Sequence, residues 1–381
     1  MKRRLVILTE LIAPYRIPVF NALAAVPEID LHVIFLSETD ASLRQWRVYS
    51  EEIRFSYEVL PSWRRRLGKY NILLNQNVTL ALRDSNPEVV LCGGYNYVAS
   101  WQAMLWAKRN GIRLLLWCES TAGDERRNRL LVEIMKEKFV QNCNGYVVPG
   151  KSSYAYLRSL GVPGENLFLA PNAVDNVLFS RREHLARLKE DRLRCELGLP
   201  QRYFLFVGRL IKAKGVFDLL EAYARLSPAL REQFGVAFAG DGPERAPLEA
   251  AAHSIFPGSV HFPGFVHRDD LVSYYSLADC LVFPTHSDPW GLVVNEALAC
   301  GLPVICSAVA GCAADLVHGN GRVVPARDPA QLAAAMQELG CDPDLRSRMS
   351  CESRRIIQAY SPEACAGGIA SAVIAGERIH A

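Results

Sequence analysis

The stretch Tyr203-Phe204-Leu205-Phe206-Val207-Gly208-Arg209-Leu210-Ile211-Lys212-Ala213-Lys214-Gly215 changes character at Gly208. Five apolar residues read as a buried strand, a glycine ends it, and three cations precede an amphipathic helical segment over 215–226. Cations just past a strand's carboxyl end, beside the free N–H groups of a helix N-terminus, suit a diphosphate: arginine forks two oxygens and lysine acts as a point charge. A solvated basic loop is the other reading of the same residues.

The same alternation extends in both directions. Strands are expected at 5–9, 31–36, 55–60, 89–93, 113–118 and 145–148, and again at 203–207, 236–240, 260–262, 280–283, 303–307 and 322–325. Helical segments intervene at 17–25, 78–86, 97–110, 127–142 and 152–160, then at 215–226, 268–277, 293–300, 329–338 and 344–360. This is the pattern of an α/β protein with two doubly wound, mainly parallel sheets in series, whose ligands sit at the strands' carboxyl ends. A chain of 381 residues is long for one domain and fits two. The charged stretch around 171–200 reads as the hinge.

Half the residues are apolar and 22% are charged, which excludes disordered and fibrous classes. A net charge of +3 argues against a nucleic-acid partner, yet residues 1–200 carry 28 basic and 21 acidic side chains while 201–381 carry 15 and 19. Eleven cysteines without CxxC spacing, several inside apolar runs, point to reduced thiols, and no HExxH or Cys/His cluster suggests a metal. Lys2-Arg3-Arg4 before Leu5–Leu8 has the outline of a leader, but Glu10 and Pro14 end the apolar run too early, so it reads as a first strand. No apolar run is long enough for a transmembrane helix.

Two further stretches follow strands. Gly240-Asp241-Gly242-Pro243-Glu244 has Arg245 where a dinucleotide fingerprint needs its third glycine, so a turn and a ligand wall both remain open. The densest signal is Phe283-Pro284-Thr285-His286-Ser287-Asp288-Pro289-Trp290-Gly291-Leu292-Val293-Val294-Asn295-Glu296-Ala297-Leu298-Ala299-Cys300-Gly301. Glu296 lies in an otherwise apolar helix, where an acid is costly without a hydrogen-bonding partner such as vicinal hydroxyls. A first-turn acid complementing the helix dipole is the alternative. Asp288 precedes the glycine that opens this helix, so both carboxylates are expected to face one site.

Gly208-Arg209…Lys214-Gly215, Gly240-Asp241-Gly242-Pro243, Pro263-Gly264-Phe265-Val266 and Asp288-Pro289-Trp290-Gly291-Leu292…Glu296 together resemble, in order and spacing, the retaining nucleotide-sugar glycosyltransferases of family 4. In the first half Pro14-Tyr15-Arg16-Ile17-Pro18 is similar to a subgroup that replaces the usual glycine-rich acceptor loop. The resemblance implies the GT-B fold, two Rossmann-like domains facing across a cleft. Residues 1–172 would bind the acceptor, 173–360 the donor, and a C-terminal helix over 361–381 would pack back on the first domain. It further implies that Arg209 and Lys214 bind the diphosphate, that Glu296 holds the ribose and that Asp288 contacts the transferred sugar. Gly208, Trp290, Gly291 and Leu292 would present backbone to the phosphates, and Phe265 and Val266 would line the nucleobase pocket, with Asp241 in the wall. Asp288 stands where the family usually has glutamate. Glu119, in Leu114-Leu115-Leu116-Trp117-Cys118-Glu119-Ser120, takes the place of a customary histidine, as a proton acceptor, an orienting group or a loop acid.

The implied reaction needs no metal or cofactor beyond the nucleotide-diphosphate sugar. Its acceptor would be a glycan or lipid-linked hydroxyl, in polysaccharide or glycolipid synthesis. Tyr15 and Arg16 would lie near that acceptor. Trp63-Arg64-Arg65-Arg66-Leu67-Gly68-Lys69-Tyr70 fits an anionic membrane surface, a phosphate-rich acceptor or plain solvent. A cytoplasmic protein in peripheral contact with the inner membrane face is expected. A sugar-nucleotide epimerase of the same fold and a donor-binding scaffold without turnover are the alternatives.

Overall fold

The computed structural model describes residues 2–39, 46–67, 70–123 and 130–375. The chain divides into two compact units, Met1–Val174 with Ser361–Ala381, and Asp175–Tyr360.

The first unit is built on a seven-stranded parallel sheet in the order Ser56–Val59, Ile29–Ser37, Arg3–Leu11, Val89–Cys92, Arg113–Trp117, Gly145–Val148, Leu167–Leu169. Leu5, Val6, Ile7, Val90, Leu91, Leu115 and Leu116 are wholly buried, because helices cover both faces of a parallel sheet and its strands become continuous apolar runs. The helix Pro362–Ile374 belongs to this unit and places Cys365, Ile369 and Val373 in one core with Leu5, Phe20 and Val33. Ser361 caps it by accepting from Ala364 N–H, Pro362 suits its first turn, and Arg113 donates to the carbonyls of Ala372 and Val373 at 2.8 and 2.9 Å.

The second unit has six parallel strands in the order Val260–Gly264, Gly235–Ala239, Tyr203–Val207, Cys280–Phe283, Val304–Ser307, Gly321–Val324. In both sheets the strand order reverses beside the unit's first strand. In the second, the switch lies between Tyr203–Val207 and Cys280–Phe283. A crevice at a switch point is where open α/β sheets take ligands, and here the cationic loop and the Asp288 loop leave those two strands.

The structure gives two of these stretches a definite form. The stretch read as a hinge contains the division between the units, after Val174, but beyond it the chain forms the helices Asn176–Arg187 and Glu190–Leu197, the first capped by Asp175 accepting from Leu178 N–H at 2.9 Å. The basic segment at 63–70 belongs to a separate hairpin, in which Ser62–Leu67 and Tyr70–Asn75 pair antiparallel. Gly68, Lys69 and the side chain of Arg66 lie outside the described residues.

Candidate functional site

At the second unit's switch point the chain turns on glycines, and at several of them a side chain would collide with backbone. Gly208 (φ +148°) and Gly240 (φ +159°) meet backbone to backbone, and a Cβ on Gly240 would strike the Gly208 carbonyl. Leu210 N–H donates to the Asp241 carbonyl at 2.9 Å, and Glu244 N–H donates to the Leu210 carbonyl at 3.0 Å. The Asp241 carboxylate accepts from its neighbour Gly242 N–H at 2.7 Å. Residues 240–244 therefore brace the 208–211 loop, and the turn reading of that motif accounts for its geometry.

The cationic loop ends in one 3-10 turn, Lys212–Lys214, then Gly215 (φ +66°) opens the helix Val216–Ala224. A Cβ on Gly215 would collide with the Pro284 carbonyl, so this turn presses against the loop that leaves Phe283. Thr285 Oγ1 and His286 N–H both donate to the Ala213 carbonyl, at 3.2 and 2.9 Å. The contact brings Lys214 Nζ onto Asp288 Oδ2 in an ion pair whose side chains are each 16% exposed. Arg209 and Lys212 stay exposed on the same loop.

Asp288 has a second duty. Its Oδ1 accepts from Trp290 N–H at 3.1 Å, so that N–H is engaged within the loop and is not offered to a phosphate as the resemblance implied. The Trp290 indole is buried and donates to Asn295 Oδ1 at 2.8 Å, a buried partner that the sequence reading missed. Gly291 (φ +102°) packs against the Phe283 ring and opens the helix Leu292–Ala299, where N-terminal N–H groups lack intrahelical partners.

Glu296 is the fifth residue of that helix, in its second turn, which removes the first-turn dipole reading. Burial pushes its carboxyl up from the usual 4.5 to about 7, against the opposing pull of the Tyr275 hydroxyl and Arg268. Tyr275 donates to Oε2 at 2.6 Å. Asp288 and Glu296, expected to face one site, have separate protein partners. Phe265 is 39% exposed at the end of the edge strand Val260–Gly264, edge-on to His267 at 5.0 Å between centroids, with Val266 half-buried beside it.

The first unit carries its own cluster at the carboxyl ends of its strands. Arg16, which precedes the helix Ile17–Ala24, forms an ion pair with Glu119 and stacks 3.9 Å above the Trp117 ring. Asn172, buried after the last strand, donates to the same Glu119 Oε1 at 3.0 Å. Burial depresses the Arg16 guanidinium, but Glu119 and Tyr15 outweigh it and hold it above its usual range. A carboxylate oxygen shared by two donors suits orientation better than proton transfer. The sequence reading used Asn172 only as a boundary marker. Nearby, Tyr95 and Ser120 hydroxyls lie 2.8 Å apart.

The basic hairpin meets the same edge of the sheet. Asn75 donates to the Leu36 carbonyl at 2.6 Å, and Arg64 reaches Glu10 at 3.5 Å. The register pairs Trp63 with Leu74 and Arg65 with Ile72, on the face opposite Arg64 and the buried Leu73. Trp63 and Leu74 are 52% and 41% exposed, and Arg65 is exposed with them. Among the described residues there is no group of His, Cys, Asp and Glu that could hold a metal ion, and no helix is long and apolar enough to cross a membrane.

Residues 190–356 match the family model of glycosyl transferases group 1. A D-inositol 3-phosphate glycosyltransferase of Thermomonospora curvata is 34% identical over 207 residues, covering 51% of this chain and 48% of that protein. Its counterpart from Geodermatophilus obscurus is 36% identical over 182 residues, covering 45% and 40%. The chain spans about half the length of the curated relatives it matches. Among solved structures, Anabaena Alr3699/HepE in complex with UDP superposes with a TM-score of 0.77 at 17% identity, covering 98% of this chain and all of that one. Sucrose-phosphate synthase from Thermosynechococcus elongatus gives 0.73 at 21%, covering 99% of each. Residues 190–356 thus match the group 1 glycosyl transferases, in a chain whose two Rossmann-like units have the GT-B fold.

Proposed function

We propose that the protein is a retaining glycosyltransferase that moves a sugar from a nucleoside diphosphate sugar to a hydroxyl of a glycan or lipid-linked acceptor. The observation that carries this reading is the Lys214–Asp288 pair at the second unit's switch point, with Arg209 exposed on the same loop. Arg209 and Lys214 neutralise the charge that grows on the diphosphate as its bond to the sugar breaks. Glu296 accepts hydrogen bonds from the ribose hydroxyls, and Asp288 from a hydroxyl of the sugar. Gly208, Gly291 and Leu292 bring backbone close to the phosphates, while Phe265 and Val266 flank the nucleobase and Asp241 supports the wall. The acceptor oxygen attacks the anomeric carbon, its proton passes to the departing phosphate, and no metal takes part. Superposition on a UDP complex makes UDP-sugars the first donors to try.

In the first unit Tyr15 and Arg16 line the acceptor side, and Glu119 orients Arg16. The outward face of the hairpin, with Trp63 and Arg65, makes peripheral contact with an anionic membrane. The protein works at the cytoplasmic face, in polysaccharide or glycolipid assembly. The test is turnover of UDP-, GDP-, ADP- and dTDP-sugars with a panel of glycan and lipid-linked acceptors. Sugar transferred with its anomeric configuration kept supports the reading. Conversion of the donor without acceptor, or tight donor binding with no turnover, refutes it.

A further inference from the structure

His286 and Asp218 are claimed by none of the roles above. Asp218 is the third residue of the helix Val216–Ala224, where an acid ordinarily faces solvent and complements the helix dipole. Here it is turned inward, its side chain 20% exposed, and its Oδ2 lies 2.7 Å from Nε2 of His286, itself 15% exposed. A carboxylate only accepts, so Nε2 carries the proton of this bond. His286 lies two residues before Asp288, and Asp218 lies four residues after Lys214. The contact therefore ties the loop that carries the carboxylate to the helix that follows the lysine's turn.

The backbone between these loops is already joined by two hydrogen bonds to the Ala213 carbonyl and by the close approach of Gly215 to Pro284. Those contacts fix how near the loops lie. Asp288 is held on its other side by a bridge to Ala310 and by Gly311 N–H donating to its carbonyl at 3.0 Å, and the His286–Asp218 bond anchors the start of the same segment to the helix Val216–Ala224. We propose that His286 and Asp218 are a positioning pair that sets Lys214 and Asp288 in register for the diphosphate and the transferred sugar. The proposal rests on the donor-site reading above and adds to it two residues that touch no substrate.

The test uses the full chain and four probes, UDP, GDP, ADP and dTDP, with affinity read by calorimetry and the ligand-free melting temperature read in parallel. The parent should bind at least one probe, and Lys214→Ala should lose most of that affinity. His286→Ala should weaken the same probe by about tenfold, the order expected for one hydrogen bond to a charged group. His286→Gln, which places an amide N–H near the position of Nε2, should restore affinity to near the parent value. Asp218→Ala should match His286→Ala, and the double variant should be no weaker than either, because one bond is lost only once. Parent-like affinity in His286→Ala, no rescue by glutamine, or losses that multiply in the double variant would each overturn the pair. A parent that binds none of the probes would overturn the donor-site reading itself, a result distinct from a failure of the pair alone.

Discussion

Glu296 is half-buried and accepts from the Tyr275 hydroxyl, and its raised pKa has a measurable sign. Its carboxyl titrates at about 7 in the folded protein against about 4.5 when unfolded, so between those values the folded form holds more protons. Stability from this group is therefore present at low pH and falls as pH rises toward 7. Glu296→Gln cannot ionise, and its melting temperature relative to the parent should be higher at pH 8 than at pH 5. A difference that does not change with pH would contradict the burial argument. For activity, Lys214→Ala should lower kcat/KM by roughly 100- to 1000-fold, the range typical of removing one preorganised charge stabiliser. Single-turnover rates at saturating donor would show whether that loss falls on the chemical step. The residue identities at this site were legible in sequence because cations and acids in apolar surroundings stand out. Their partners Tyr275, Asn295 and Asp218 were not, since a tyrosine, an asparagine or a first-turn aspartate looks ordinary until its contact is seen.

At the scale of elements, the strands announce themselves as apolar runs bounded by glycine, and the structure places strands at Tyr203–Val207, Cys280–Phe283 and Gly145–Val148, as the sequence indicated. The helices at 176–197 were not foreseen because their charge density hides an apolar face, although the division between the units does fall in that stretch, after Val174. The missed signal was spacing: Glu183 with Arg187, Glu190 with Arg194 and Arg192 with Glu196 are all four apart and all form ion pairs. The hairpin was missed because three adjacent arginines obscure the two-residue alternation of a strand. The C-terminal helix carries a sharper test. A Cβ on Gly368 would strike the Leu169 carbonyl and lie 2.7 Å from Ala170 Cα, so helix and strand approach too closely for a methyl group. Gly368→Ala should cost about 1–3 kcal/mol despite the better helix propensity of alanine, as overpacking does. Denaturant unfolding of the first unit would check it, and Gly367→Ala, with open space at its Cβ, is the control.

For the whole molecule, the basic first half presents one of its cations, Arg65, on the outward hairpin face beside Trp63, Ile72 and Leu74. If that face meets lipid, Trp63→Ser with Arg65→Glu should reduce sedimentation with vesicles containing anionic lipid. It should leave nucleotide binding unchanged, and raising salt should mimic it. Equal binding of parent and variant would remove the membrane role.

The chain's local chemistry, apolar strand runs, glycines at turns, and cations and carboxylates just beyond them, was determined by sequence alone, because strand formation and turn geometry depend on near neighbours. Which of those loops would meet was decided only by the order of strands in each sheet. Lys214 and Asp288 lie 74 residues apart, His286 and Asp218 lie 68 apart, and Arg16 and Glu119 lie 103 apart. Each pair meets because the strands beside it are neighbours or nearly so in the folded sheet. An ion pair or hydrogen bond requires contact within a few ångströms, and no spacing along the chain encodes that distance.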